Sequence, residues 1–386
     1  MYLNNLHLWS FRNYVEQQVK FTAQKTIVVG NNAQGKSNLL EAIELLATLK
    51  SHRAIRDREL VLDGSTYGKI EATIERAYGT AELSLTLRKQ GRRTAAINRE
   101  ILPRQLDFLG RLNAVQFSSL DLDLVRGAPE SRRNWIDRLL IQLEPVYAHM
   151  LQQYERVLRQ RNALLKTIRQ QEQEKQIDID REDLAQLKLW DEQLAATGSR
   201  VTRRRARVLH RIAPIAQTWH ERISGKTEVL EITYAPNVEW TEDLPEKVQQ
   251  AFLARIEQRR IAEQHQGKTL IGPHRDEIEL IINDTPARYY GSQGQQRTLV
   301  LALKLAELKL IEEVVGEPPL LLLDDVLAEL DPHRQNQLLG AIGDRFQTII
   351  TTTHIGSFHA RWLKDSQILS IDSGKITERR DDLDLN

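Results

Sequence analysis

The sequence predicts an α/β fold: a mixed β-sheet around a phosphate-binding loop, split in two along the chain, with a helical lobe inserted between the halves. Three observations predict it. Residues 30 to 37, Gly30-Asn31-Asn32-Ala33-Gln34-Gly35-Lys36-Ser37, complete a G-x-x-x-x-G-K-[ST] loop behind the apolar run Lys25 to Val29. Strand signals fill the chain to about residue 125 and return after residue 265. Between them the apolar positions change to helical spacing.

The early strand signals are Leu6 to Trp9, Lys69 to Ile74 and Glu82 to Arg88, and a helix from Ser37 to Leu49 follows the loop. In the middle, Leu151, Tyr154, Leu158, Leu165 and Ile168 keep three-four spacing, and Leu187, Leu194, Val201 and Val208 recur every seven residues. The polar stretch Gln170 to Asp180 separates the two stripes and predicts a turn, hence a short antiparallel helix pair. A helix of ~35 residues spans only ~50 Å, too short for a long arm. Strand Glu277 to Ile282, a helix from Gln295 to Glu313, the run Leu320 to Leu323 and strand Thr348 to Thr352 complete the chain. Residues 1–125 and 265–386 are therefore expected to form one split α/β domain (lobe I), with 126–264 as the helical lobe (lobe II).

Composition narrows the function. In 386 residues, 54 basic side chains face 53 acidic ones, so a nucleic-acid surface has to come from local clustering. The absence of cysteine removes disulfides, thiolate metal sites and cysteine nucleophiles. Met1 to Arg12 lacks the pattern of a signal peptide, and the longest apolar stretch, Leu299 to Val315, is broken by Lys304, Glu307, Lys309, Glu312 and Glu313. The expectation is a soluble cytoplasmic protein.

The loop explains its own spacing. Gly30 and Gly35 let successive N–H groups point at one anion, Lys36 reaches β/γ-phosphates, Ser37 offers an oxygen to Mg²⁺, and the helix dipole adds to the field. Leu320 to Leu323 then deliver Asp324 and Asp325 at a strand end. Asp324 is placed to hold Mg²⁺, in most cases through water, and Asp325 to orient or deprotonate an attacking water, although two acids leaving a strand into solvent read the same way. Ser292-Gln293-Gly294-Gln295-Gln296 reads as a capping box, which accounts for Ser292 and Gln295. Gly294 is left over, because glycine in a first turn costs up to ~1 kcal/mol relative to alanine and permits close approach to the backbone.

The phosphate loop, the Ser292 to Gln296 element before the acidic strand, and Ala328-Glu329-Leu330-Asp331 after it resemble the ABC-type ATPases. Within that group the chain resembles the RecF family. Gly127 to Asp137 is similar to its Gly-x-Pro-x-x-Arg-Arg-x-aromatic-x-Asp signature; so are Leu323 to Asp331 with Arg334 and Leu338, Gly272 to Asp276, and Phe11-Arg12-Asn13-Tyr14. Ser118-Ser119-Leu120-Asp121 and Trp135 depart from the family pattern without removing a phosphate or metal ligand. The resemblance implies an ABC-type head in which Ser292, Gly294 and Gln295 act in trans on the nucleotide of a second copy. It implies His354 as a switch near the γ-phosphate and Gln116 as the sensor of water and Mg²⁺. It further implies a weak ATPase whose homodimer closes on DNA near single-strand/double-strand junctions, is opened by slow hydrolysis, and serves recombinase loading and the SOS response with RecO and RecR.

Arg200, Arg203, Arg204, Arg205, Arg207 and Arg211 fall within twelve positions with no acid between them, so this cluster is a candidate phosphate contact on DNA, although an arginine-rich helical face also serves simply to keep a helix soluble through salt bridges to acids. Smaller clusters are Arg53, Arg56 and Arg58, and Arg92 with Arg93. Two rivals fit less well. A transporter's nucleotide-binding subunit does not explain Arg132-Arg133 or His274-Arg275-Asp276, and an SMC arm protein separates its halves by hundreds of residues of coiled coil.

Overall fold

The computed structural model describes residues 1–175, 181–357, 362–363 and 365–378. The chain divides into two compact units. The first comprises Met1–Leu122, Ile215–Glu228 and Ser292–Asn386, and the second Asp123–Pro214 and Val229–Gly291.

Among the described residues the first unit holds two sheets of six strands each. One is antiparallel throughout, in the order Tyr14–Lys20, Tyr2–Phe11, Tyr67–Arg76, Gly79–Arg88, Thr94–Ile97, Glu100–Ile101. In Tyr67–Arg76 the buried positions Gly68, Ile70, Ala72 and Ile74 alternate with wetter ones, as a sheet with one covered face requires. The second sheet runs Lys375–Glu378, Ser366–Asp372, Lys25–Val29, Thr348–Thr352, Leu320–Asp324, Ala114–Ser118, parallel except for its first edge strand. Its central strands are buried along almost their whole length because both faces are covered; Leu320 to Leu323 are no more than 1% exposed.

Register sets the position of the site. Val29 lies opposite Thr352, Thr351 opposite Asp324, and Asp324 opposite Ser118, so four strands end level with one another. The loop after Val29, the acids Asp324 and Asp325, and His354 all leave from that carboxyl edge, where α/β sheets place their ligands. Helix Lys36–Thr48 follows the loop, with eleven of its residues buried, Glu41 and Glu44 among them.

The second unit is mainly helical: Pro129–Leu143, Val146–Lys175, the larger part of Arg181–Ile223, and Pro245–Gln266. Arg161 meets Asp191, and Leu165 and Ile168 pack on Leu187, so residue numbers rise on one helix as they fall on the other and the pair is antiparallel. Helix persists to Lys175, shortening the turn expected at 170–180; its remainder, 176–180, lies outside the described residues.

The lobe boundary expected at 265 falls at 291/292 instead. Strand Glu277–Ile282 finds its hydrogen-bond partners in Leu230–Ala235 and Thr285–Pro286, so the segment stays with the second unit. Among the described residues, no helix is long and apolar enough to cross a membrane.

Candidate functional site

Gly35 has φ 118°, a conformation L side chains rarely adopt, and it opens helix Lys36–Thr48 without a side-chain cap or an acid in the first turn. The first N–H groups of that helix are thus not taken by side-chain caps and suit an anion. A Cβ at Gly30 would stand 2.5 Å from the carbonyl oxygen of Ile371. Lys36, 4% exposed, donates to the carbonyls of Gly30 at 2.8 Å and Asn31 at 3.2 Å, and its Nζ lies 3.7 Å from Asp325 Oδ2.

The loop is braced by residues whose role sequence reasoning missed. Tyr14 Oη donates to the carbonyl of Gly35 at 2.8 Å, and Asn13 Nδ2 to that of Gln34 at 2.8 Å. Asn38 Nδ2 holds Asn13 Oδ1 at 2.8 Å, while the amides of Gly374 and Ser373 donate to Gln34 O and Oε1 at 3.0 and 2.5 Å. Burial pushes the Tyr14 hydroxyl well above its usual range and keeps it a donor. Arg12, in left-handed backbone at φ 53°, forks onto fully buried Glu41 of the loop helix at 2.8 and 2.6 Å. The signal in the sequence is the motif Phe11 to Tyr14, which carries the family likeness but by itself names no task.

At the strand ends, Ser37 Oγ and Thr351 Oγ1 each donate to Asp324 Oδ1 at 2.8 Å, and the Asp325 amide donates to Thr351 Oγ1 at 2.9 Å. A hydroxyl beside a carboxylate is a hard-oxygen donor set that fits Mg²⁺. Among the described residues no group of three or more His, Cys, Asp or Glu could hold a metal, so such an ion would draw its other ligands from water and phosphate. Asp325 sits at φ 53° with its side chain 39% exposed. Burial raises its carboxyl above the ordinary aspartate value, Lys36 opposes this, and neighbouring Asp324 adds to it.

Gln116 lies opposite Leu322, in the strand beside Asp324. Its Nε2 is 3.5 Å from His52 Nε2, and its Oε1 is buried without a partner among the described residues. His354 is exposed just past strand Thr348–Thr352, its amide donating to Thr352 Oγ1 at 3.2 Å. Ser292 and Gln295 close the capping box: Ser292 Oγ accepts from the Gln295 amide at 3.2 Å and Gln295 Oε1 from the Ser292 amide at 2.8 Å. Gly294 has an intramolecular reason as well. Arg334 Nη2 donates to its carbonyl at 3.0 Å, a Cβ there would stand 3.1 Å from the same atom, and Arg334 also grips Asp331 and, at 2.9 Å, Thr298 Oγ1.

The arginine cluster of the second unit is corrected. Arg205, 4% exposed, forks onto Asp137 at 2.8 Å through two nitrogens and donates to the carbonyl of Pro273 at 2.6 Å, so it cannot reach a phosphate. Arg203 and Arg207 share Asp243 at 2.5 and 2.8 Å, and Arg204 meets Glu144 at 3.1 Å. The acids absent between Arg200 and Arg211 arrive from other elements, 36 to 68 positions away. Of the cluster, Arg200 and Arg211 are exposed and without an ion pair among the described residues. In the first unit Arg93 ties two basic segments together, gripping Asp57 and donating to the Leu49 carbonyl at 2.6 Å. Around it Arg56, Arg58 and Arg92 are exposed, with no ion pair among the described residues. Arg53 is held by Asn38 Oδ1 at 2.9 Å.

The chain matches the family model described as RecF/RecN/SMC N terminal domain over residues 2–366. The DNA replication and repair protein RecF of Gloeothece citriformis is 74% identical over 383 residues, 98% of this chain and 100% of the relative. RecF of Synechocystis sp. is 64% identical over 379 residues, 98% of each chain. The solved structure of the recombination mediator protein RecF-ATPrS in the RecFOR pathway has a TM-score of 0.89 at 31% identity, covering 98% of both chains. An SmcHead bound to the C-winged helix domain of ScpA shares the fold alone, with a TM-score of 0.55 at 15% identity. Matched by the family model over residues 2–366 and by a 74% identical relative over 98% of its length, the chain belongs to the RecF family.

Proposed function

We propose that the chain is an ATP-dependent DNA-binding clamp of recombinational repair and replication. The observation that carries the reading is the convergence on one sheet edge of an uncapped helix N-terminus, buried Lys36, and the Ser37–Asp324 pair. Residues 30–37 bind the phosphates of ATP, Lys36 exchanging loop carbonyls for β/γ-phosphate oxygens. Ser37 and Asp324 hold Mg²⁺, which when bound neutralises charge on those phosphates. Asp325 orients and deprotonates the attacking water, with Gln116 and His354 beside the γ-phosphate. Aspartate reaches less far than glutamate, which favours slow turnover.

Ser292 and Gly294 complete the site on a second copy. The capping bond uses the Ser292 oxygen as acceptor and leaves its O–H free to donate to a γ-phosphate, while Gln295 holds the turn. ATP thus closes a homodimer on DNA near single-strand/double-strand junctions and hydrolysis opens it. The clamp assists recombinase loading and the SOS response in the cytoplasm, with RecO and RecR as partners. The two units act as lobe I and lobe II, and Arg56, Arg58 and Arg92 replace the helical arginines as the phosphate contacts.

Titration of labelled gapped duplex with the protein plus ATP and Mg²⁺, or plus ADP, tests the reading. ATP tightens binding by wild type and leaves Lys36→Ala unchanged; equal binding in all states would refute it.

A further inference from the structure

The segment after the loop helix, Ser51-His52-Arg53, docks back onto it. Ser51 Oγ donates to Glu41 Oε1 at 2.5 Å, and Arg53 to Asn38. His52 is the buried member, 11% exposed; its Nδ1 is 2.6 Å from Glu44 Oε2, which also accepts the His52 amide at 3.2 Å. Glu44, 7% exposed, is acceptor-only when ionised, so it takes the proton on Nδ1, and the Gln116 Nε2 group, a donor only, faces the ring's other nitrogen, Nε2, as its acceptor. The group facing Nε2 is the Gln116 amide at 3.5 Å. An acceptor there selects the NH₂ end of that amide and turns Oε1 away, and Oε1 is the buried atom with no partner among the described residues.

We propose that His52 is a positioning residue: held by Glu44, it fixes the Gln116 amide so that its oxygen is presented to the water or metal of the hydrolytic site. The inference rests on the reading of Gln116 given above. A flipped amide would present two donors where an acceptor is needed, and second-shell hydrogen bonds of this kind typically affect activity ten- to a hundredfold.

The test uses the full chain and two variants, His52→Asn and Gln116→Ala, alone and combined. Asparagine keeps a donor for Glu44 and lacks the ring nitrogen that reaches Gln116, so the dock survives while the contact is lost; thermal melting with His52→Ala in parallel separates folding from positioning. The expected result is a kcat lowered about tenfold in His52→Asn with the KM for ATP within about twofold. In the Gln116→Ala background His52→Asn causes no further loss, because its effect passes through Gln116. Additive losses in the double variant, or a His52→Asn kcat within about twofold of wild type while Gln116→Ala is impaired, overturn the inference. A Gln116→Ala enzyme with wild-type kcat instead removes the role of Gln116 itself.

Discussion

Arg205→Ala separates a structural strut from a DNA contact. The side chain makes a two-nitrogen fork to Asp137 at 2.8 Å, a bond to the Pro273 carbonyl at 2.6 Å and a 3.5 Å approach to Asp276 Oδ2, and it is 4% exposed. Its removal leaves Asp137, 7% exposed, with the Tyr147 hydroxyl as donor at 2.5 Å, while Asp276, 1% exposed, keeps the Tyr234 and Thr202 hydroxyls and the Asn237 amide. Deleting one partner of a buried pair costs about 3–5 kcal/mol. The lower half is expected here because both acids keep other donors. For a chain of this size that lowers Tm by roughly 5 °C. Urea unfolding measures the loss, and Arg205→Met with Asp137→Leu, which empties the pair, recovers part of it. The salt dependence of DNA binding is expected to stay unchanged. The triple variant of Arg56, Arg58 and Arg92 to Ala is expected to behave oppositely, with stability within about 0.5 kcal/mol of wild type. Its slope of log K against log salt falls by about 2.7, so that between about 50 and 200 mM salt wild-type affinity falls about fortyfold more than the variant's. A stable Arg205→Ala with a reduced salt slope would refute the reasoning and restore the arginine cluster read from the sequence.

Tyr14→Phe removes the donor to the Gly35 carbonyl and is expected to cost about 1 kcal/mol of stability and to weaken ATP binding several-fold by equilibrium titration. Asp325→Asn is expected to bind ATP and lose hydrolysis by at least about a hundredfold. Because the Asp325 carboxyl lies above the ordinary value, its charged form is disfavoured in the fold: the variant should melt higher than wild type at neutral pH, and the difference should vanish below the unfolded aspartate range. His274, pushed down to about 4 by burial and by Arg275, Arg133 and Arg205, stays neutral; stability should fall as pH drops from about 6.5 towards 4, by up to about 3 kcal/mol, and His274→Gln should flatten that part of the curve. Arg334→Ala loses the bonds to Gly294, Asp331 and Thr298 and is expected to weaken ATP-dependent dimerisation at unchanged nucleotide affinity, measured by light scattering and titration.

Local chemistry was legible. The glycine spacing of 30–37, the all-leucine strand and the Ser292/Gln295 capping box are short-range patterns, and strands Thr348–Thr352 and Glu277–Ile282 begin and end where alternation and apolar runs put them. What the sequence could not show is which distant residue faces a charge. Arg205 and Asp137 are 68 positions apart, so a cluster that looked uncompensated is paired by the fold. Asn13 and Tyr14 brace a loop 21 positions away, and Gln116 and His52 meet across 64. The boundary at 291 was hidden for the same reason: a strand's membership is decided by its pairing partner, and alternation names no partner.

The central claim is that each ATP site is shared between two copies, and mixing tests it most directly. Lys36→Ala lacks a working loop and Ser292→Arg lacks a working signature, so neither alone should dimerise or hydrolyse ATP. Their equimolar mixture rebuilds one composite site, the loop from Ser292→Arg and the signature from Lys36→Ala. Light scattering and phosphate release with ATP, Mg²⁺ and gapped DNA should show dimers and activity in the mixture and in neither variant alone. An inactive, monomeric mixture, or full activity in Ser292→Arg by itself, would contradict the account.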